Sequence, residues 1–95
     1  MTEQTTPIPQ DTISVTATSI SEKTIDDPGY LVSTYITPIA PIVSIDNVTA
    51  TGLVSNTLYY ELIPSGTHSG EIYVQGFTSR PNRSATFTVT YTYSS

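Results

Sequence analysis

Strict alternation of apolar and polar residues is the clearest pattern in the chain, and it is strongest near the C-terminus. In residues 84–94 the apolar positions that alternate with threonines are Ala85, Phe87, Val89, Tyr91 and Tyr93. A period of two places successive side chains on opposite faces of a β-strand. The pattern predicts a strand whose apolar face lines a core and whose threonine face meets water.

Shorter stretches of extended character predict further strands. They cover residues 12–18, 30–37, 42–50, 58–63 and 71–77. Clusters of Asp, Asn, Pro, Gly and Ser separate these stretches, as at residues 26–29 and 79–83, and such clusters form turns. Pro38 and Pro41 predict a sheet edge or a crossover, because proline cannot donate to a hydrogen-bond ladder. The last three strands are predicted to form a meander.

Six or seven short strands, with no window of helical spacing, predict an all-β domain. We expect a small antiparallel β-sandwich, Ig-like in architecture, or a small barrel, formed by residues 12–95. Residues 1–11 are predicted to be a flexible N-terminal arm, with Ile8 as its apolar anchor. Two interpretations of the arm remain open: it orders against a neighbouring subunit, or it is a frayed terminus.

Charge narrows the classes of partner. Eight acidic and three basic side chains give a formal charge of −5. We expect no nucleic-acid partner, because binding phosphates needs a basic stripe. The charge also opposes an anionic membrane surface. The chain has no apolar run long enough for a spanning helix and no pattern of a secretory signal, which predicts a soluble protein made in the cytoplasm.

Candidate catalytic groups are few and isolated. His68 is the only histidine, and Ser65 and Glu71 are near it in a predicted loop. A nucleophile elbow instead needs a serine at the centre of G-x-S-x-G on a strand-to-helix turn. We therefore expect His68 to be a solvated loop side chain.

The other chemical sites that the sequence could offer are also incomplete. The carboxylates of the predicted domain mostly occur singly, and no calcium-loop motif joins them. No cysteine is present to complete a zinc site or to supply thiol chemistry. The sequence predicts a protein that is not an enzyme, with no catalytic residue, no metal and no cofactor.

Seven tyrosines without a tryptophan offer aromatic surface. A tyrosine buries apolar area while it keeps a polar tip, which suits an interface or a sugar-stacking platform. Alternation predicts that Tyr59 and Tyr73 face outward, opposite to Tyr60 and Val74 respectively. The candidate partner contacts are therefore Ile8, Tyr59 and Tyr73.

The chain has few lysines, strands rich in Thr, Ser and Tyr such as SATFTVTYTYSS, a proline-bearing start and a predicted all-β body. In these respects it resembles the small structural proteins of tailed bacteriophage virions, over its whole length but without a diagnostic motif. The resemblance implies a virion component, such as a capsid decoration or a tail or neck subunit, which packs on protein partners in a symmetric oligomer. The alternative is an adhesion module whose exposed tyrosines bind a carbohydrate or a receptor.

Overall fold

Six β-strands make up the chain in a computed structural model, which describes residues 9–94. The strands are β1 (Gln10–Thr18), β2 (Tyr30–Ile36), β3 (Ile42–Thr51), β4 (Tyr59–Leu62), β5 (Ile72–Thr78) and β6 (Ser84–Tyr93). The predicted all-β class is confirmed. Ile8 and the rest of residues 1–8 lie outside the described residues.

The strands form two antiparallel sheets of three. Sheet A has the order β1-β6-β3 and sheet B has the order β2-β5-β4. The β1 and β2 edges adjoin, since the Ile20 amide donates to the Leu31 carbonyl at 2.9 Å. At the other edges of the two sheets, away from β1 and β2, the chain passes from β3 to sheet B. There the Val54 amide donates to the Phe77 carbonyl at 2.7 Å. The architecture is the predicted small β-sandwich, with six strands.

The predicted C-terminal meander is wrong. β4 and β5 pair as a hairpin, but β6 crosses to the other sheet and becomes its central strand. Ser19 ties this crossing to the end of β1: its hydroxyl accepts from the Arg83 amide at 2.9 Å and donates to the Arg80 carbonyl at 3.3 Å. Contacts with a residue 64 positions earlier therefore help to direct the turn, and the turn sequence alone does not encode them.

β1 begins inside the segment that the sequence assigned to the arm. Gln10 and Asp11 pair with Thr92 and Tyr91, respectively. Asp11 takes an inward position, where the Tyr91 hydroxyl donates to its carboxylate at 3.0 Å. A carboxylate in this position interrupts the apolar alternation. The alternation therefore predicted that β1 begins at residue 12, two residues after its actual start.

The core lies between the two central strands, β5 and β6. Its fully buried apolar residues are Val32, Ile36, Ile72, Val74, Ala85, Phe87, Val89 and Tyr91. The predicted apolar face of β6 is confirmed for all but Tyr93, which is only half-buried. The buried Tyr91 hydroxyl also accepts a hydrogen bond from the Ile39 amide at 3.0 Å, so that its polar tip is satisfied.

The two ends of the sandwich carry different connections. We call the end that holds residues 37–41 and 63–71 the upper end, and the end that holds residues 19–29 and 79–83 the lower end. The strand registers fix this assignment, since Ile72 at the upper end of β5 pairs with both Ile36 and Leu62. Pro38 and Pro41 lie in the crossover from sheet B to sheet A, as the sequence predicts.

Candidate binding surface

The outer face of sheet B carries three tyrosines on three neighbouring strands. Tyr35 of β2 pairs with Tyr73 of β5, and Tyr59 of β4 lies next to this pair. The ring centroids of Tyr35 and Tyr73 are 5.2 Å apart, and those of Tyr59 and Tyr73 are 6.3 Å apart. These separations are typical of attractive aromatic pairs. Tyr59 and Tyr73 face outward as the alternation predicts, and the structure brings them together.

His68 adds a fourth ring. Its imidazole stacks on Tyr35, with ring centroids 3.7 Å apart and an angle of 6° between the planes. Its Nδ1 bonds the Glu71 carboxylate, which also accepts from the Thr37 hydroxyl at 2.6 Å. These two hydrogen bonds, the one from Thr37 first, hold the pKa of Glu71 below its ordinary value. His68 does lie in a loop as predicted, but it packs against the sheet rather than standing free in solvent.

Hydrogen bonds along the strands orient two of the three tyrosines. The Tyr59 hydroxyl donates to the Glu61 carboxylate at 2.7 Å, and the Tyr73 hydroxyl donates to the Gln75 side-chain carbonyl at 2.6 Å. Each acceptor lies two residues further along the same strand, and therefore on the same face. The bond to Glu61 also raises the pKa of Tyr59. We call His68, Tyr35, Tyr73 and Tyr59 the aromatic row.

The aromatic row is exposed and lies on an open face. Tyr35 and Tyr59 keep 41% and 46% of their surface accessible. No enclosed cavity is present among residues 9–94. Small-molecule sites are concave, whereas protein interfaces are flatter and enriched in tyrosine. The shape and composition of the row suit contact with another macromolecule.

The side-chain hydrogen bond of His68 in the described residues is with Glu71 and not with a serine. Ser69, its neighbour in sequence, donates its hydroxyl to the Pro64 carbonyl at 3.4 Å. In the part of the chain that the structure describes, no three His, Asp or Glu side chains gather where they could hold a metal ion. What the arrangement offers is a stacked ring system with carboxylate and amide acceptors beside it.

The outer face of sheet A is a ladder of hydroxyl pairs between β1 and β6. The pairs are Thr12 with Thr90 at 3.0 Å, Ser14 with Thr88 at 2.9 Å, and Thr16 with Thr86 at 3.0 Å. Each hydroxyl thus has a partner within the protein. This face differs from the aromatic row, whose rings have open surface.

Asp46 ends the ladder at a β-bulge of β3. Its carboxylate accepts from the Thr92 hydroxyl at 2.6 Å, the Gln10 amide at 3.0 Å and the Ser44 hydroxyl at 2.7 Å. These bonds, with the one from Thr92 first, lower the pKa of Asp46. The charged form of Asp46 is therefore the form that the fold stabilises.

Acid is expected to destabilise the fold through Asp46. An unfolded aspartate takes up its proton near pH ~4, whereas folded Asp46 does so at a lower pH, so that its contribution is present above ~4 and is lost as the pH falls through the lowered pKa. The urea concentration at the midpoint of unfolding should decrease as the pH is lowered below ~4. This decrease should be smaller in Asp46→Asn than in the wild type. Asp26→Asn removes the same charge from an exposed loop. If it flattens the pH dependence as much as Asp46→Asn does, this assignment is wrong.

Two results complete the description of the chain. Within residues 9–94, no helix has the length and apolar character needed to cross a bilayer. The sequence matches no protein-family model and no curated protein, and the fold matches no solved structure.

Proposed function

We propose that the protein is a non-enzymatic structural subunit that binds a protein neighbour in a larger assembly through the aromatic row. The observation that carries this proposal is the row itself: four rings in mutual contact on an open sheet face. Two of its three tyrosines, Tyr59 and Tyr73, are already oriented by their own hydroxyl bonds. A surface ordered before binding loses less side-chain entropy when a partner arrives.

Apolar side chains at the upper end support a protein partner. Ile39 and Val43 keep 65% and 66% of their surface accessible. Leu62 has the same orientation as the buried Ile72, yet it is 41% exposed because β4 is an edge strand. Exposed apolar side chains gathered at one end of a domain suit an interaction surface.

The resemblance to tailed-phage structural proteins supports a virion as the assembly. In that setting the protein is a capsid decoration or a tail or neck subunit, and its location is the virion.

Co-assembly tests this proposal. The chain is expressed with the products of the genes adjacent to its own, and assembled particles are separated from free protein on a density gradient. We expect the chain in the particles, and we expect Tyr35→Ser with Tyr73→Ser to reduce its incorporation at least about tenfold, since tyrosines at interface centres dominate binding. Ser14→Ala is the matched control, because it alters the other outer face. Undiminished incorporation of the tyrosine variant would contradict the role of the row.

A second candidate function, carbohydrate binding by an adhesion module, is favoured by the same rings. The apolar face of a pyranose can stack on tyrosine, and Glu61 and Gln75 lie beside the rings as acceptors for sugar hydroxyls. A glycan array should then show binding that Tyr59→Ala and Tyr73→Ala abolish. Absence of binding across a broad array would reject this candidate.

A further inference from the structure

We propose that the aromatic row of one copy binds the arginine turn of a second copy, so that the protein associates head to tail. The arginine turn is residues 79–83, between β5 and β6, with Arg80 and Arg83 exposed. In this interface the guanidinium groups stack on the rings and pair with Glu61, and Glu71 adds negative charge nearby. The inference rests on the proposed function and names the neighbour as a second copy of the chain.

Charge is distributed unevenly along the sandwich. All three basic residues of the chain, Lys23, Arg80 and Arg83, lie at the lower end. The carboxylates in the upper half of the sheets are Asp11, Asp46, Glu61 and Glu71. Of these, Glu61 and Glu71 lie beside the aromatic row, where, among the described residues, His68 is the one basic side chain and no lysine or arginine is present.

These opposite charges do not meet within one copy. Among residues 9–94 the only ion pair joins His68 to Glu71, so that no lysine or arginine is paired with a carboxylate there. Glu61 is exposed, and its one side-chain hydrogen bond in that range comes from Tyr59. Glu61 and the two arginines are therefore available to another chain, whereas Glu71 is already bonded by Thr37 and His68.

The arginine turn is held in a fixed shape. Ser19 bonds the backbone of both arginines, and the Thr78 hydroxyl donates to the Arg80 carbonyl at 2.6 Å. Asn82 takes a left-handed conformation, with φ 55°, that short polar residues tolerate. The turn thus presents two guanidinium groups from a rigid backbone.

Arginine suits the composition of the aromatic row. A guanidinium group stacks on aromatic faces and binds a carboxylate through two parallel hydrogen bonds. Glu22, Asp26 and Asp27 also lie at the lower end, on the β1–β2 connection. Attraction therefore depends on the two arginines of the turn rather than on a net positive charge of that end.

Head-to-tail contact leaves one surface of each type free at the two ends of a dimer. Such a heterologous interface repeats, and it gives a ring when the rotation closes and a filament when it does not. Either product is an assembly of repeated subunits, as the proposed structural role requires.

Sedimentation of the purified full chain tests the inference. The wild type is expected to self-associate as its concentration rises, and to do so more weakly at high salt. Arg80→Gln with Arg83→Gln, and separately Tyr59→Ser with Glu61→Gln, should each weaken association about ten- to a hundredfold. Lys23→Gln is the matched control, because it removes a positive charge from the same end but outside the turn, and it should associate as the wild type does. Circular dichroism verifies that each variant is folded.

Mixing the two defective variants distinguishes this interface from any other. Each retains one intact surface, so that an equimolar mixture should form dimers and nothing larger. A wild type that stays monomeric at every concentration overturns the inference, and so does an oligomer that the arginine variant leaves unchanged. Either result leaves the proposed function to be judged by co-assembly, in which the neighbour is a different protein.

Discussion

Phe87→Ala is expected to lower the free energy of unfolding by about 3–5 kcal/mol. Phe87 is fully buried in the central strand of sheet A, where it pairs with Val15 on one side and Ala50 on the other. These neighbours are small and belong to paired strands, so that they cannot collapse into the space left by the ring. A small domain has a total stability of only about 5–15 kcal/mol, and this loss therefore populates the unfolded state measurably.

Urea unfolding followed by circular dichroism measures this effect. Thr88→Ala is the matched control, because Thr88 is the next residue of the same strand and faces outward to Ser14. Loss of its hydroxyl pair should cost only about 0.5–1.5 kcal/mol. Equal losses in the two variants would show that the faces of β6 are assigned incorrectly.

Gly52→Ala is expected to destabilise the fold by at least about 2 kcal/mol. Gly52 follows the last residue of β3 and has φ +85°, a left-handed conformation that costs an L-residue about 1–2 kcal/mol. A Cβ here would also lie 2.8 Å from the Ser84 carbonyl oxygen. Because that oxygen belongs to the backbone at the start of β6, relief requires the two strands to move apart.

Gly66→Ala separates these two causes. Gly66 has a similar φ of +94°, but no atom lies within 4 Å of the position that its Cβ would take. Its destabilisation should therefore reflect the backbone conformation alone and be about 1–2 kcal/mol. Thermal or urea unfolding that ranks the two alanine variants equally would contradict a steric clash at Gly52.

The alternation of apolar and polar residues predicted the positions of the strands and their buried faces, because this pattern depends on each strand alone. Alternation assigned Phe87 and Val89 to the core and Glu61 to solvent, and the structure agrees. The pairing of strands depends instead on distant contacts, such as that of Ser19 with the arginine turn. For this reason the crossing of β6 between sheets escaped the sequence analysis.

The candidate surface was predictable only in part. Tyr59 and Tyr73 could be placed outward from their own strands, whereas Tyr35 joins them through pairing with β5, 38 positions further along the chain. His68 reaches Tyr35 because a closed loop returns it to the sheet, with the Gly70 amide donating to the Ile63 carbonyl at 2.9 Å. The two glycines that flank His68, Gly66 and Gly70, were the available signal for such a loop.

The central position of β6 has a consequence for synthesis. β1 and β3 pair with β6 and not with each other, so that neither edge of sheet A finds its partner until β6 has left the ribosome. At a translation rate of ~5–20 residues per second, β1 waits roughly 4–15 s for that partner. During this interval nascent chains on one polysome expose complementary strands to one another, and Asp11, the one charged side chain of β1, opposes their adhesion.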